Sequence, residues 1–422
     1  MRLRPRLATL AAAAVLGCVL APSKSPADDQ DQAQIERGRY LVTAADCGAC
    51  HDDPVEHRPF AGGRSIQTPF GVVVAPNITP DLETGIGGFS DAQFDAVVRR
   101  GRLPDGRLVY PAMPFPYYTK MSLADVRAIR AYLGTVPAVR HAVVSDQLPF
   151  PFSMRAILRI WDGLYFNAGE LVPNAAKSAE WNRGAYLVEG PGHCGACHTP
   201  KTFLGGDQAR DALQGYKIEG WVAPDITNDE RAGLGGWSLT DVVDYLRTGH
   251  NRFSAASGPM AEEVSRSSSQ LNAADLAAMA AYLKDQGPTP GDRRREAGAE
   301  TAPLASGDAM MAAGAEIYED LCSSCHRADG AGVPFLIPNL AASASLLSRD
   351  PSTLIRVVLQ GAQSVATKDE PTAPAMPSFA WQLTDAEVAA VTTYVRNAWH
   401  HAAPAVTENE VRKARMQQLA GR

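Results

Sequence analysis

The sequence predicts an all-α chain of three tandem small domains, the first two an internal duplication. Three observations predict it. The pattern Cys-x-x-Cys-His occurs three times, at Cys47 to His51, Cys194 to His198 and Cys322 to His326, at intervals of about one small domain. One offset of 148 residues carries Pro76 onto Pro224 and Gly101 onto Gly249. Around each pattern, apolar residues recur at helical spacing behind Ser, Asn or Thr caps.

The Cys-x-x-Cys-His spacing has a chemical reason. Two thiols three positions apart can each form a thioether to a vinyl edge of one porphyrin, and the adjacent imidazole can then bind the iron. Three covalently bound haem c groups are therefore expected on Cys47 and Cys50, Cys194 and Cys197, and Cys322 and Cys325, with His51, His198 and His326 as axial ligands. The chain has seven cysteines; six fall in the motifs and none remains for a structural disulfide. A zinc module is the bland alternative, but a histidine directly after each second cysteine does not fit its ligand spacing.

The seventh cysteine, Cys18, lies in residues 1–27, which read as a secretory signal. Arg2, Arg4 and Arg6 precede an apolar run from Leu7 to Leu20, and Ser25-Pro26-Ala27 offers the small residues a signal peptidase reads. Lipidation at Cys18 after Val15-Leu16-Gly17 is the rival reading. The run is short for a membrane span, and no later stretch is longer. The expected mature protein is exported, and soluble or peripheral. Cleavage there leaves 36 basic against 46 acidic side chains, a balance of −10. That argues against nucleic acid and against a polybasic route to anionic lipid.

The first domain is expected at 34–137. Ile35, Arg39 and Val42 place a short helix before Cys47. A Gly- and Pro-rich loop region follows, with Ala75-Pro76-Asn77-Ile78-Thr79. Ser90 caps a helix that stops at Gly101, and Ser122 caps one running through Val126, Ile129 and Leu133 to Gly134. Between them, Pro111-Ala112-Met113-Pro114 forms a stiff extended loop. Methionine is ordinarily core filler. Here that loop makes Met113 the expected sixth ligand of the first iron, with Met121 the competitor.

Residues 138–177 are expected as a linker with an apolar helix. Leu148 to Phe152 reads as extended; Met154 to Trp161 is apolar around most of a helical circumference, suited to packing between domains or against another subunit.

The second domain is expected at 178–287. Gly184-Ala185-Tyr186-Leu187-Val188 echoes Gly38-Arg39-Tyr40-Leu41-Val42, Ala223-Pro224-Asp225-Ile226-Thr227 echoes Ala75 to Thr79, and Asn272 caps a final helix. Met260, in Gly258-Pro259-Met260, takes the place of Met113. Met279, His250 and His193 are the chemical alternatives; His250 reads as a loop residue and His193 abuts the motif. Residues 288–306 read as a flexible linker.

The third domain, at 307–400, diverges. Ala375-Met376-Pro377 repeats the Met113 environment, so Met376 is the expected sixth ligand there, and Thr384 caps the last helix. Tyr132, Tyr282 and Tyr394 each fall ten residues after their cap and read as core. The tail 401–422 reads as a solvated terminus, with a weak amphipathic helix around Val411 and Leu419 as the alternative.

Each unit resembles a class I cytochrome c domain: a leading helix with glycine, Cys-x-x-Cys-His, a Pro-containing loop, a Met loop and a closing helix. Pro338-Asn339-Leu340 looks like the loop whose proline carbonyl orients the ligand imidazole in that fold. The mature chain as a whole is similar to the triheme cytochrome c subunit of membrane-bound, quinone-reducing bacterial dehydrogenases. The matching stretches are Met113-Pro114-Phe115-Pro116, Ser178 to Gly190, Gly192 to Lys201 and Ala375 to Phe379.

That resemblance implies an electron-transfer subunit with no substrate-oxidising site of its own. A large dehydrogenase subunit carrying PQQ or flavin would oxidise an alcohol, polyol or sugar acid. The cytochrome would pass the electrons to ubiquinone at the periplasmic face of the inner membrane, with peripheral attachment and a small third subunit. The alternatives are the cytochrome subunit of a molybdenum hydroxylase for N-heterocycles, an independent carrier, and a self-contained haem enzyme.

Overall fold

The computed structural model describes residues 26–420 except 145, 219, 288–302 and 306. Of the expected signal segment only Pro26 and Ala27 are described, and Cys18 lies outside; of the 288–306 linker only 303–305 are described.

Helices dominate, and three crossings organise them. The Pro26–Ala44 helix packs on Leu123–Leu133, Ala179–Glu189 on Ala273–Lys284, and Ala309–Leu321 on Asp385–Val395. Each crossing turns on one glycine. A Cβ at Gly38 would fall on the carbonyl of Ala128 and beside the Tyr132 Cβ. At Gly184 it would meet Ala278 and Tyr282, and at Gly314 Ala390 and Tyr394. The missing side chain is what lets backbone approach backbone. The tyrosines ten residues after each cap thus stand at the crossings, as the sequence predicts.

The caps form as the sequence predicts. Ser90, Ser122, Asn272 and Thr384 accept from the amide three residues on, and Gly101 ends its helix in the left-handed region at φ 61°. The leading helix is longer than expected, 19 residues from Pro26.

Each crossing carries its own apolar core, around Leu41, Val126 and Leu133; around Leu187, Leu276 and Leu283; and around Ile355, Val388 and Val391. The first two cores exchange residues. Ala44 and Tyr40 pack into the second, and Tyr186 into the first.

Three features differ from what the sequence predicts. First, three antiparallel two-stranded ribbons occur: Ser65–Thr68 with Gly71–Val74, Gln214–Ile218 with Trp221–Asp225, and Ala362–Gln363 with Ala375–Met376. The first is favoured by the β-branched run Val72-Val73-Val74, with Gly71 supplying φ 125° at the turn. Second, the stretch expected as extended to Phe152 turns at 150–153, where Ser153 N donates to Pro149 O. The apolar segment after it is a single 3-10 turn, Arg155–Ile157, and the helix Leu158–Tyr165. That helix does reach two units, since Trp161 packs edge-on to Phe115 and its Nε1 donates to Leu204 O at 3.0 Å.

Third, the expected solvated tail is a docked helix, Glu408–Ala420. Val406 and Val411 are fully buried, and Arg415 Nε donates to Asp385 Oδ1 at 2.8 Å. Thr407 and Glu410 form a reciprocal capping box, a signature present in the sequence. No described helix is long and apolar enough to cross a membrane.

Candidate functional site

Each Cys-x-x-Cys-His motif is a single helical turn at the end of its leading helix: Cys47–His51, Gly195–His198 after Cys194, and Ser323–His326 after Cys322. The turn brings the second thiol and the imidazole round beneath the first thiol. Burial pushes the thiols of Cys47 and Cys194 up to about 12 and that of Cys322 up to about 11, so they sit as neutral groups in apolar surroundings.

The three histidines share one arrangement. His51 Nδ1 lies 2.7 Å from Pro76 O, His198 Nδ1 2.7 Å from Pro224 O, and His326 Nδ1 3.3 Å from Pro338 O. A carbonyl only accepts, so Nδ1 carries the hydrogen and Nε2 the lone pair. Burial also lowers the pKa of all three rings, against the carbonyl contact, which holds them neutral near pH 7. A neutral imidazole with a bare Nε2, next to two thiols, is the donor set a covalently attached haem requires. The residues present therefore fit that group.

The proline loops are braced the same way each time. Asn77 Oδ1 accepts from Thr79 N at 2.9 Å, Asp225 Oδ1 from Thr227 N at 2.7 Å, and Asn339 Oδ1 from Ala342 N at 3.0 Å. A glycine backs the prolyl unit in each. A Cβ at Gly62 (φ 77°) or Gly332 (φ 61°) would strike the carbonyl of Pro76 or Pro338, and Gly215 stands likewise against Pro224. Sequence reading identified this role at Pro338 alone. Pro76 and Pro224 stand in the sequence as landmarks of the repeat, and the same Pro-Asn or Pro-Asp pair marks all three loops.

Each candidate methionine packs on the same core as its motif. Cys47 and Met113 lie against the first core, Cys194 and Met260 against the second, and Cys322 and Met376 against the third. Met113 sits in a turn, with Met113 N donating to Tyr110 O, just before the short helix Phe115–Tyr118. Met260 is in the first turn of the helix Gly258–Arg266, and Met376 is on the Ala375–Met376 strand. The competitors Met121 and Met279 are buried core residues. His250, which the sequence suggested as a loop residue, is fully buried; its Nδ1 lies 3.0 Å from Thr248 O and its Nε2 has no hydrogen-bond partner.

Two contacts between units were not legible in the sequence. The Met260 helix docks on the first motif, where Arg266 Nη1 meets Asp52 Oδ2 at 2.8 Å and Arg64 Nη2 donates to Glu262 Oε2 at 2.8 Å. The third unit's proline loop docks on the second unit, where Asn339 N donates to Phe253 O at 3.0 Å.

The comparisons agree with this geometry. The cytochrome c family profile matches residues 311–399. The chain is 39% identical to the gluconate 2-dehydrogenase cytochrome c subunit of Pantoea cypripedii, over 92% of this chain and 91% of that one. It is 37% identical to the cytochrome c subunit of alcohol dehydrogenase (quinone) from Gluconobacter oxydans, over 92% and 84%. It is 35% identical to the fructose dehydrogenase cytochrome subunit of Gluconobacter japonicus, over 90% and 82%.

Proposed function

The chain belongs to the family of cytochrome c subunits of dehydrogenase complexes, and on that premise we propose that it relays electrons from a partner dehydrogenase to membrane quinone through three covalently bound haems. The haems, when bound, supply the one-electron iron couples. Cys47 and Cys50, Cys194 and Cys197, and Cys322 and Cys325 tether them. His51, His198 and His326 present Nε2 to the irons. Met113, Met260 and Met376 would hold the irons through their thioethers, a ligand type that favours the reduced metal and raises its potential. The three units span 34–137, 178–287 and 307–400, and the first two descend from one duplication.

The observation that carries this reading is the repeated anchoring of each motif histidine on a prolyl carbonyl. It presets three imidazoles for metal ligation in one chain. The donor side is a large subunit with PQQ or flavin acting on a CH–OH group. The complex, with a small third subunit, is attached peripherally at the periplasmic face of the inner membrane.

The test is purification from native membranes through a C-terminal tag. Co-purifying chains are identified by mass spectrometry, and quinone reduction is assayed with ethanol, gluconate, sorbitol and nicotinate. A large partner with activity on one alcohol, polyol or sugar acid is the expected result. Activity on nicotinate alone would move the partner to the molybdenum hydroxylases, and a lone cytochrome without partner or activity would overturn the relay.

A further inference from the structure

The helix Phe115–Tyr118 follows Met113 directly and lies between the first two motifs. Tyr118 is buried in the first core, where Cys47 also packs. Its hydroxyl donates to Ala45 O at 2.9 Å, two residues ahead of Cys47. The other side of its ring meets the second motif. Tyr118 and His193 pack edge to face, with centroids 5.6 Å apart and planes at 78°, and His193 is covalently joined to Cys194.

His193 is held for this contact. It takes a left-handed backbone, φ 36°, which is uncommon for a residue other than glycine. The constraint is visible: His193 N donates to Gly190 O, Cys194 N donates to Val188 O, and the ring nitrogen Nδ1 lies 2.7 Å from Pro191 O. The neighbouring Tyr117 covers the motif itself. A Cβ on Gly195 would strike its ring, and its hydroxyl donates to Asp207.

We infer that Tyr118 and His193 form the electron-transfer contact between the first and second haem sites. The inference rests on the haem assignments above. Tunnelling falls off more steeply across a void than across packed, bonded atoms. Here the route from Cys47 to Cys194 runs through the first core, one buried phenol and one half-buried imidazole. One electron passes from the reduced to the oxidised site: the first is oxidised and the second reduced by the same electron. No bond forms or breaks. Tyr118 keeps its proton on the Ala45 hydrogen bond, and His193 keeps the Nδ1 hydrogen. Burial raises the Tyr118 pKa well above the ordinary phenol value, in keeping with a ring that stays neutral.

The test uses the full-length holo-cytochrome and needs neither dehydrogenase nor quinone, so it is independent of the donor and acceptor proposed above. A sub-stoichiometric pulse of photogenerated reductant is applied, and redistribution among the haems is followed by α-band absorbance. Haem content and the individual potentials are measured alongside. Tyr118→Leu and His193→Leu are expected to lose the fast redistribution phase at unchanged haem content and potentials. Tyr118→Phe, which keeps the ring, is expected to retain it. A wild-type fast phase in His193→Leu, which leaves the Ala45 hydrogen bond in place, overturns the inference even if Tyr118→Leu fails to fold. Haem missing from a motif of the wild-type chain would instead overturn the haem assignments.

Discussion

Tyr40 donates its hydroxyl to Asp275 Oδ2 at 2.6 Å, and Tyr186 returns the bond from the second unit to Asp125 of the first. Each aspartate is the third residue after a cap, Ser122 or Asn272. Each is also ion-paired within its own unit, Asp125 to Arg37 at 2.5 Å and Asp275 to Arg183 at 2.7 Å. One unit is thus latched to the other by two related bonds. Removing one hydroxyl is expected to cost roughly 1.5–3 kcal/mol, the usual net worth of a bond to a charged group. Tyr40→Phe should lower the thermal midpoint seen by calorimetry, and Tyr40→Phe with Tyr186→Phe should lower it further. An unchanged midpoint in the double variant would show that the latch contributes nothing.

The same latch predicts a pH dependence. Burial alone would raise the Asp275 carboxyl, but the Arg183 guanidinium, the Tyr40 hydroxyl and Asn272 outweigh it and hold the pKa below its ordinary value. A carboxylate depressed in the folded state stabilises that state above its unfolded pKa, about 4. The stabilisation is lost as pH falls from there through the folded value. Denaturant midpoints should therefore drop below about pH 4, and Asp275→Asn should flatten that limb while lowering the plateau at neutral pH. An acid limb identical to wild type in the variant would remove Asp275 as its source.

The crossings predict a steric effect. Gly184→Ala would drive a methyl into the carbonyl of Ala278, and the helices must part to admit it. Overpacking of this kind costs roughly 1–3 kcal/mol or more. Chemical denaturation of the holo-chain is the check, and wild-type stability would mean that the crossing is softer than its geometry indicates.

The proposed methionine ligands predict a spectroscopic pattern. Met113→Leu, Met260→Leu and Met376→Leu should each lower one potential in a redox titration and add one high-spin signal to the EPR spectrum. The middle site is the informative one. A low-spin signal with two nitrogen ligands in Met260→Leu would place His250, whose Nε2 is unpartnered, on that iron.

Much of the fold was readable because its determinants are side chains at fixed spacing. The six motif cysteines, the caps at Ser90, Ser122, Asn272 and Thr384, and the tyrosines ten residues later all lie where their chemistry places them. What escaped depends on backbone atoms and distant contacts, to which a local sequence pattern assigns no role. Pro76 and Pro224 act through a backbone oxygen, which every residue carries. Tyr118 acts through a neighbour 75 residues away, as no local periodicity could show. The ribbons were hidden because their glycines and prolines are also the composition of plain loops. The tail helix stands in the sequence only as an alternative around Val411, because its low mean apolarity does not show that two neighbouring helices cover that residue.

The prolyl carbonyls carry a consequence for inheritance. A side-chain partner of a ligand imidazole can be deleted by one nucleotide change; a main-chain oxygen cannot. Each of the three histidines is therefore insulated from point mutation in its partner. What mutation can reach is the bracing behind each carbonyl, the glycines at 62, 215 and 332 and the side chains of Asn77, Asp225 and Asn339, so selection on the three imidazoles falls on those positions.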